Sequence, residues 1–131
     1  MLKIAICDDD LKFAGNLETL VITESQEIGI RVETEVFADG KTLVEHIRAG
    51  ERYSLIFLDI EMELVDGISA ARLIRETDRS VLFIYISGYD SYLKELFEVE
   101  PFRFLSKPLE KELFCRYYKE ACQRIGETEV F

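Results

Sequence analysis

The sequence predicts an α/β domain in which five parallel strands form one sheet with helices on both faces. Three observations predict this class: apolar runs alternate with amphipathic stretches from end to end, the inner runs are continuously apolar, and 131 residues suit one domain. Strands that are buried on both faces form unbroken apolar runs, whereas half-buried strands alternate. With 48% hydrophobic residues, the chain can bury a full core without disulfides or metals.

The N-terminal part of the chain predicts a strand, a helix and an edge strand. Residues 2–7 are the first strand, which ends at the acidic run 8–10, and Asp10 is a suitable N-cap for the helix that follows. The apolar face of this helix consists of Phe13, Leu17, Leu20 and Val21. Gly29 breaks the helix, and residues 30–37 alternate apolar and charged side chains, as a half-buried edge strand does.

The middle of the chain predicts two helices and two fully buried strands. Each helix opens at an Asp-Gly pair, residues 39–40 for the second helix and 66–67 for the third. Residues 55–58 and 81–86 are continuous apolar runs, which suit central strands covered on both faces.

The C-terminal part predicts a helix, a short strand and a long final helix. The apolar residues of the fourth predicted helix, which stops before Pro101, are Tyr92, Leu96, Phe97 and Val99. Residues 102–105 are the last strand, and Pro108 lies near the start of the fifth helix. The apolar positions of that helix are Leu113, Tyr117, Ala121 and Ile125.

The edge-like second strand and the apolar inner runs favour the strand order 2-1-3-4-5, which is that of the doubly wound, flavodoxin-like (βα)5 fold. Connections between parallel strands are nearly always right-handed, so the helices cover both faces of the sheet. Residues 1–125 are predicted to form this domain, and residues 126–131 to be a tail or the start of a linker.

The charge balance and the cysteines exclude several classes of function. Asp and Glu number 26 against 16 Lys and Arg, and because no basic cluster offsets the net charge of -10 we expect no direct nucleic-acid binding. No apolar stretch has the length of a signal segment or a membrane span, which predicts a cytoplasmic protein with no membrane contact. The 3 cysteines are widely spaced without a CxxC pair and predict reduced structural residues.

Acidic, hydroxyl and ammonium side chains follow four of the predicted strands. They are Asp8 and Asp9 after the first strand, Asp59 after the third, Ser87 after the fourth and Lys107 after the fifth. Each alone has an ordinary explanation as a turn, cap or surface residue, but the carboxyl ends of parallel strands share one edge of the sheet, where ligands bind. Three adjacent carboxylates repel one another, and Mg²⁺ relieves that repulsion. An Asp beside the ion can attack phosphorus, so this edge predicts magnesium-dependent phosphoryl transfer.

Four motifs, in this order along the chain, resemble the response-regulator receiver family of two-component systems. They are Ile6-Cys7-Asp8-Asp9-Asp10, Leu58-Asp59-Ile60-Glu61-Met62 with Asp66-Gly67, Ile86-Ser87-Gly88, and Phe104-Leu105-Ser106-Lys107-Pro108. The resemblance covers the chain to about Ile125. It implies a signalling switch and not an enzyme, although such a switch assists its own phosphorylation and dephosphorylation.

The resemblance implies a role for each residue at this edge. Asp59 would accept a phosphoryl group from a sensor histidine kinase, and Lys107 would pair with that group. Mg²⁺ would be held by Asp8, Asp9, Asp59 and the backbone carbonyl of Glu61.

The resemblance also implies how the signal leaves the site. Ser87 would be the switch hydroxyl and Phe104 the switch aromatic, and the Lys107–Pro108 peptide bond would be cis. The switch would change the face formed by the fourth helix, the fifth strand and the fifth helix (α4-β5-α5 in the family), which would form a homodimer or contact an output module. Residues 101–105 look most like receivers coupled to LytTR-type domains, which bind DNA.

Two alternatives keep parts of the pattern. A phosphatase of the haloacid-dehalogenase type also uses Asp, Ser or Thr, Lys and Mg²⁺, but it would carry a DxDx(T/V) motif where this chain continues from Asp10 to Leu11-Lys12. An interaction module that is never phosphorylated would keep only the fold. The chain also departs from the family pattern at Glu63, where Pro is frequent, and Glu61 adds an acidic side chain that we expect to alter the lifetime of the phosphoryl group more than magnesium binding.

Overall fold

The computed structural model describes residues 1–62, 65–88 and 100–128. These residues form the strands β1 (Leu2–Cys7), β2 (Val32–Phe37), β3 (Leu55–Asp59), β4 (Leu82–Ser87) and β5 (Arg103–Ser106). They also form the helices α1 (Leu11–Glu27), α2 (Gly40–Arg48), α3 (Gly67–Thr77) and α4 (Lys111–Thr128). All strand pairs are parallel, in one sheet of order β2-β1-β3-β4-β5. The predicted fold class and strand order are confirmed.

The fourth predicted helix lies outside the described residues, and α4 is therefore the fifth of the predicted helices. Its end differs from the expected boundary, because the helix continues through Gly126 to Thr128 instead of stopping near Ile125. A glycine inside a helix costs only about 1 kcal/mol relative to alanine, so Gly126 does not end it. The edge strand β2 begins at Val32, two positions later than predicted.

Aspartates fix where three of the helices begin. Asp10, Asp39 and Asp66 are the N-caps of α1, α2 and α3. Each carboxylate accepts a hydrogen bond from the backbone N–H three residues further on, at 3.1, 2.7 and 2.9 Å respectively. Such a bond satisfies one of the N–H groups that a helix leaves unpaired at its start. The helices therefore start directly after the loops at the carboxyl edge of the sheet.

The sheet separates two apolar layers. One layer lies between the sheet and helices α1 and α4, and its largest side chains are Phe57 of β3 with Phe114 and Tyr118 of α4, whose rings stack 5.7 Å apart. The other lies between the sheet and helices α2 and α3 and includes Leu43 and Ile74. All five residues of β3 are buried, so the strand that ends at Asp59 is held from both faces.

Two glycines bring the loop between β3 and α3 into close backbone contact with its neighbours. A side-chain carbon on Gly67 would overlap the backbone carbonyl of Asp59, and one on Gly40 would overlap the backbone carbonyl of Val65. The obstructing atoms are backbone and cannot rotate away. The first residue of α3 therefore packs directly against the end of β3.

Among the helices that the structure describes, none combines the length and the apolar character needed to cross a membrane.

Candidate functional site

The side chains singled out in the sequence lie at the carboxyl edge of the sheet. Asp59 and Ser87 are the last residues of β3 and β4, Asp8 and Asp9 directly follow β1, and Lys107 directly follows β5. The parallel register brings these ends together, since Asp59 pairs with Ile86 and Ser87 pairs with Ser106. The polar residues at these strand ends therefore lie side by side at the carboxyl edge of the sheet.

Lys107 reaches two buried carboxylates from across the sheet. Its Nζ lies 2.9 Å from Asp8 Oδ2 and 3.7 Å from Asp59 Oδ2. Asp8 is 2% exposed and Asp59 5% exposed, so both carboxylates are almost withdrawn from water. The structure therefore brings together residues from three strand ends, as the strand pattern predicts.

Three carboxylates at this edge form a donor set for a metal ion. Oxygen atoms of Asp8, Asp9 and Asp59 lie within 4.8 Å of one another, and Asp9 is exposed, which leaves the cluster open on one side. An all-oxygen set with negative charge suits a hard divalent cation such as Mg²⁺ better than zinc. Glu61 lies beside the cluster, with its backbone N–H donating to Asp59 Oδ1 at 3.2 Å. The predicted metal contact through the Glu61 carbonyl remains a prediction.

Burial and like charge act together on Asp59. Burial, followed by the charges of Asp8 and Asp9, raises the pKa of the Asp59 carboxyl from 3.8 to about 7, against the opposing effects of Lys107 and the Glu61 N–H. A carboxylate in low dielectric beside another carboxylate holds its proton more tightly, because a second negative charge is costly there. A cation bound among these oxygens would remove that cost.

The ammonium of Lys107 is held by more than its carboxylate partners. Burial lowers its pKa, but the hydrogen bond to Asp8 and the charges of Asp59 and Asp8 outweigh burial, and the net pKa is raised. The Lys107 backbone N–H donates to the carbonyl of Ser87 at 3.0 Å, and the Lys107–Pro108 bond is cis, as the resemblance implies. The ring of Phe13 lies 4.4 Å from Lys107 Nζ. In the sequence, Phe13 is apparent only as one residue of an apolar helix face.

The two predicted switch residues lie on neighbouring strands. Ser87 is buried at the end of β4. Phe104 of β5 pairs with Tyr85 of β4, is partly buried, and packs against the layer of α2 and α3. Side chains two positions apart on a strand point to the same face, so Ser87 and Tyr85 face the side on which Phe104 packs. The two residues thus share a face of the sheet, two register positions apart, and their role as a switch remains a prediction.

Comparison with known proteins gives a consistent family and fold. The family model described as the response regulator receiver domain matches residues 4–119. The sensory transduction protein LytT of Bacillus subtilis is 24% identical over 132 residues, which cover 98% of this chain and 53% of LytT. The chain spans about half the length of the curated relatives it matches.

Two solved structures illustrate the shared fold. The response regulatory domain of protein mrkE from Klebsiella pneumoniae superimposes with a TM-score of 0.86 at 22% identity, covering 97% of this chain and 100% of that chain. The receiver domain of sensor histidine kinase PA1611 from Pseudomonas aeruginosa gives a TM-score of 0.78 at 21% identity, covering 95% and 98%. In that receiver domain a magnesium ion is coordinated in the active site cleft.

Proposed function

Because this chain belongs to the response regulator receiver domain family, we propose that Asp59 accepts a phosphoryl group in a magnesium-dependent reaction and that a sensor histidine kinase supplies the group. The observation that carries the proposal is the placement of buried Asp59 beside two further carboxylates and the ammonium of Lys107. Such a domain acts as a signalling switch, and the phosphoryl group is its input.

Asp8, Asp9 and Asp59 would hold the magnesium ion, together with the backbone carbonyl of Glu61. Bound there, Mg²⁺ would neutralise carboxylate charge and leave coordination positions for phosphoryl oxygens. The donor set of this chain supports the assignment, and so does the magnesium ion in the cleft of the PA1611 receiver domain.

The proposed step is a substitution at phosphorus. A carboxylate oxygen of Asp59 forms the new O–P bond, the P–N bond to the phosphohistidine of the kinase breaks, and the imidazole nitrogen keeps the electron pair and takes a proton. Lys107, with Nζ 3.7 Å from Asp59 Oδ2, places positive charge where the phosphoryl oxygens arrive. Ser87 supplies a hydroxyl donor from the end of β4.

The proposed output is a change at the face formed by the fourth predicted helix, β5 and α4. Ser87 would move toward the phosphoryl group, Phe104 would follow, and the altered face would form a homodimer or contact an output module. LytT is about twice as long as this chain, which leaves room for a further domain in that relative. The output module that we propose is a DNA-binding domain of the LytTR type, as the resemblance implies. We place the protein in the cytoplasm, where sensor kinases present their phosphohistidine.

The test uses ³²P-labelled phosphoramidate as a small phosphodonor, with and without Mg²⁺, on the parent chain and on Asp59→Asn. Labelling of the parent should require Mg²⁺ and be lost in Asp59→Asn, since an amide cannot form the acyl phosphate. Asp66→Asn is the matched control, because Asp66 caps α3 outside the carboxylate cluster, and it should be labelled like the parent.

Persistence of the label in Asp59→Asn would place the nucleophile elsewhere and overturn the proposal. Continuous release of phosphate from simple phosphate esters would instead support the phosphatase alternative. A parent chain that takes no label from any phosphodonor would support the unphosphorylated interaction module.

A further inference from the structure

An aromatic ring lies beneath the ammonium that faces the proposed acceptor. The Nζ of Lys107 is 4.4 Å from the centroid of the Phe13 ring, within the range of a cation–π contact. Phe13 is half-buried, in the first turn of α1, and packs against the apolar layer between the sheet and α1 and α4. The ring is therefore neither free in solvent nor part of the deep core.

The backbone that carries the ring is linked to the acidic residues by two consecutive hydrogen bonds. The Phe13 backbone N–H donates to Asp10 Oδ1 at 3.1 Å, and the Asp10 backbone N–H donates to Asp8 Oδ1 at 2.9 Å. The same N-cap that starts α1 thus sets the distance between the ring and the carboxylates. A ring carried at this position can hold a cation within reach of the carboxylates of Asp8 and Asp59.

We propose that Phe13 is a positioning residue for Lys107, whose ring keeps the ammonium beside Asp59 through a cation–π contact. The inference rests on the proposed function, because it concerns how Lys107 meets the phosphoryl group on Asp59. It assigns Phe13 no contact with the phosphoryl group itself.

The carboxylates alone do not place the ammonium beside Asp59. Lys107 Nζ lies nearer to Asp8, at 2.9 Å, than to Asp59, at 3.7 Å, so the stronger ion pair draws it toward β1. The lysine side chain has a flexible four-carbon stem and a compact charge, which leaves many orientations open. Asp8 is also a proposed ligand of the metal ion, and an oxygen that binds a cation attracts a second cation less. The ring offers a partner that no metal ion competes for.

The chain contains a second contact of this kind, at the opposite end of β5 from Lys107. The guanidinium carbon of Arg103 lies 4.3 Å from the centroid of the Phe102 ring. Phe102 is also half-buried, and a second cation, Arg124, lies 5.4 Å from its ring. Arg103 pairs with Glu120, which is not part of the carboxylate cluster. Changes at Phe102 therefore control for the loss of a cation–π contact anywhere in the fold.

The experiment replaces Phe13 with phenylalanines that carry an increasing number of ring fluorines, which preserve ring shape while removing negative charge from its face. With labelled phosphoramidate and Mg²⁺, the rate of Asp59 labelling should fall steadily along the series, on the order of tenfold for the pentafluoro ring. Phe13→Leu should lower the labelling rate by about as much. Phe13→Tyr should keep the parent rate, since the tyrosine ring has the same negative charge on its face. The same fluorinated residues at Phe102 should leave the rate unchanged.

A second readout needs neither metal nor phosphate. The Lys107 ε-methylene group is bonded to Nζ, which lies over the Phe13 ring. We therefore expect its NMR signals in the metal-free chain to be shifted upfield and to return to ordinary lysine positions in Phe13→Leu. If the parent is labelled but the labelling rate stays unchanged along the Phe13 series, the role of Phe13 is overturned while the proposed function stands. A parent that takes no label would contradict the proposed function, and the ε-methylene shifts would still test the contact.

Discussion

Strand β5 has a cation at each end, and the two differ in their surroundings. Arg103 at its start donates two hydrogen bonds to Glu120, at 2.7 and 3.1 Å, with side chains that are 39% and 35% exposed. Lys107, just after its end, faces the buried carboxylates of Asp8 and Asp59. Arg103 pairs with one carboxylate that is as exposed as itself, whereas Lys107, with a side chain that is 25% exposed, faces two carboxylates that are almost fully buried.

The difference teaches which charges stabilise this fold and which the site requires. An exposed ion pair contributes about 0.2–1 kcal/mol, since water solvates its partners well before and after folding. Buried carboxylates lose hydration that one ammonium does not replace, so the site lowers the stability of the metal-free chain. We therefore expect the charges at the carboxyl edge of the sheet to cost folding free energy in the metal-free chain, which fits the proposed metal site better than a structural role.

The largest expected difference between the two ends of β5 is in the stability lost when each cation is removed. Lys107→Met leaves two buried carboxylates without a counter-charge, and we expect the free energy of unfolding to fall by about 2–3 kcal/mol. Arg103→Met should lower it by less than about 1 kcal/mol. Urea denaturation of the metal-free variants measures both. The rate of Asp59 labelling by phosphoramidate should fall about 100-fold in Lys107→Met and stay unchanged in Arg103→Met. Equal losses of unfolding free energy in the two variants would mean that burial of the partners does not distinguish the two cations.

Removing a carboxylate partner of each cation should change the free energy of unfolding in opposite directions. Asp59→Asn eliminates a buried negative charge beside Asp8 while keeping the side-chain shape, so the metal-free chain should become more stable at pH 7.5, by about 1–2 kcal/mol. Glu120→Gln should instead lose up to about 1 kcal/mol, since it removes the partner of Arg103. Thermal unfolding followed by circular dichroism measures both changes. A destabilised Asp59→Asn chain would contradict the account of the site.

The pH dependence of stability in the parent and in Asp59→Asn tests whether the buried charge of Asp59 causes the difference between them. The folded-state pKa of Asp59 is raised above its unfolded value of 3.8, to about 7, so the folded parent binds this proton more tightly than the unfolded parent does. Stability from this group is thus present below pH 4 and is lost as the pH rises through 7. The advantage of Asp59→Asn should shrink as the pH falls and vanish near pH 4.

Salt should produce the smallest effect, and only at the exposed pair. A double-mutant cycle on Arg103 and Glu120 should give a coupling free energy of about 0.2–1 kcal/mol at low salt and nearly zero in 1 M NaCl. A cycle on Lys107 and Asp8 should keep most of its coupling, because the partners are buried. The cycles are measured by urea denaturation of the metal-free chain; a salt-insensitive Arg103 pair would show that it is less solvated than its exposure implies.

Local pattern predicted the strands, the caps and the residues at the strand ends, because each depends on a few neighbouring positions. The ends of β3 and β4 at Asp59 and Ser87 agree with the apolar runs that precede them to within one residue. The contact of Phe13 with Lys107 could not be predicted, since it joins the first turn of α1 to the residue after β5. That Lys107 lies nearer to Asp8 than to Asp59 could not be predicted either, because spacing along the sequence does not set the distances between side chains of different strands.

The overlap that a side chain on Gly67 would make with the Asp59 carbonyl has a consequence for related sequences. A relative in which another residue occupies this position cannot follow the same backbone path from β3 into α3, and the path of its β3–α3 loop cannot be inferred by superposition. The same holds at Gly40, where an added side-chain carbon would overlap the backbone carbonyl of Val65. Glycine at both positions of a homologous sequence therefore marks a chain that can share this site geometry, and a larger residue at either marks one that must have rebuilt it.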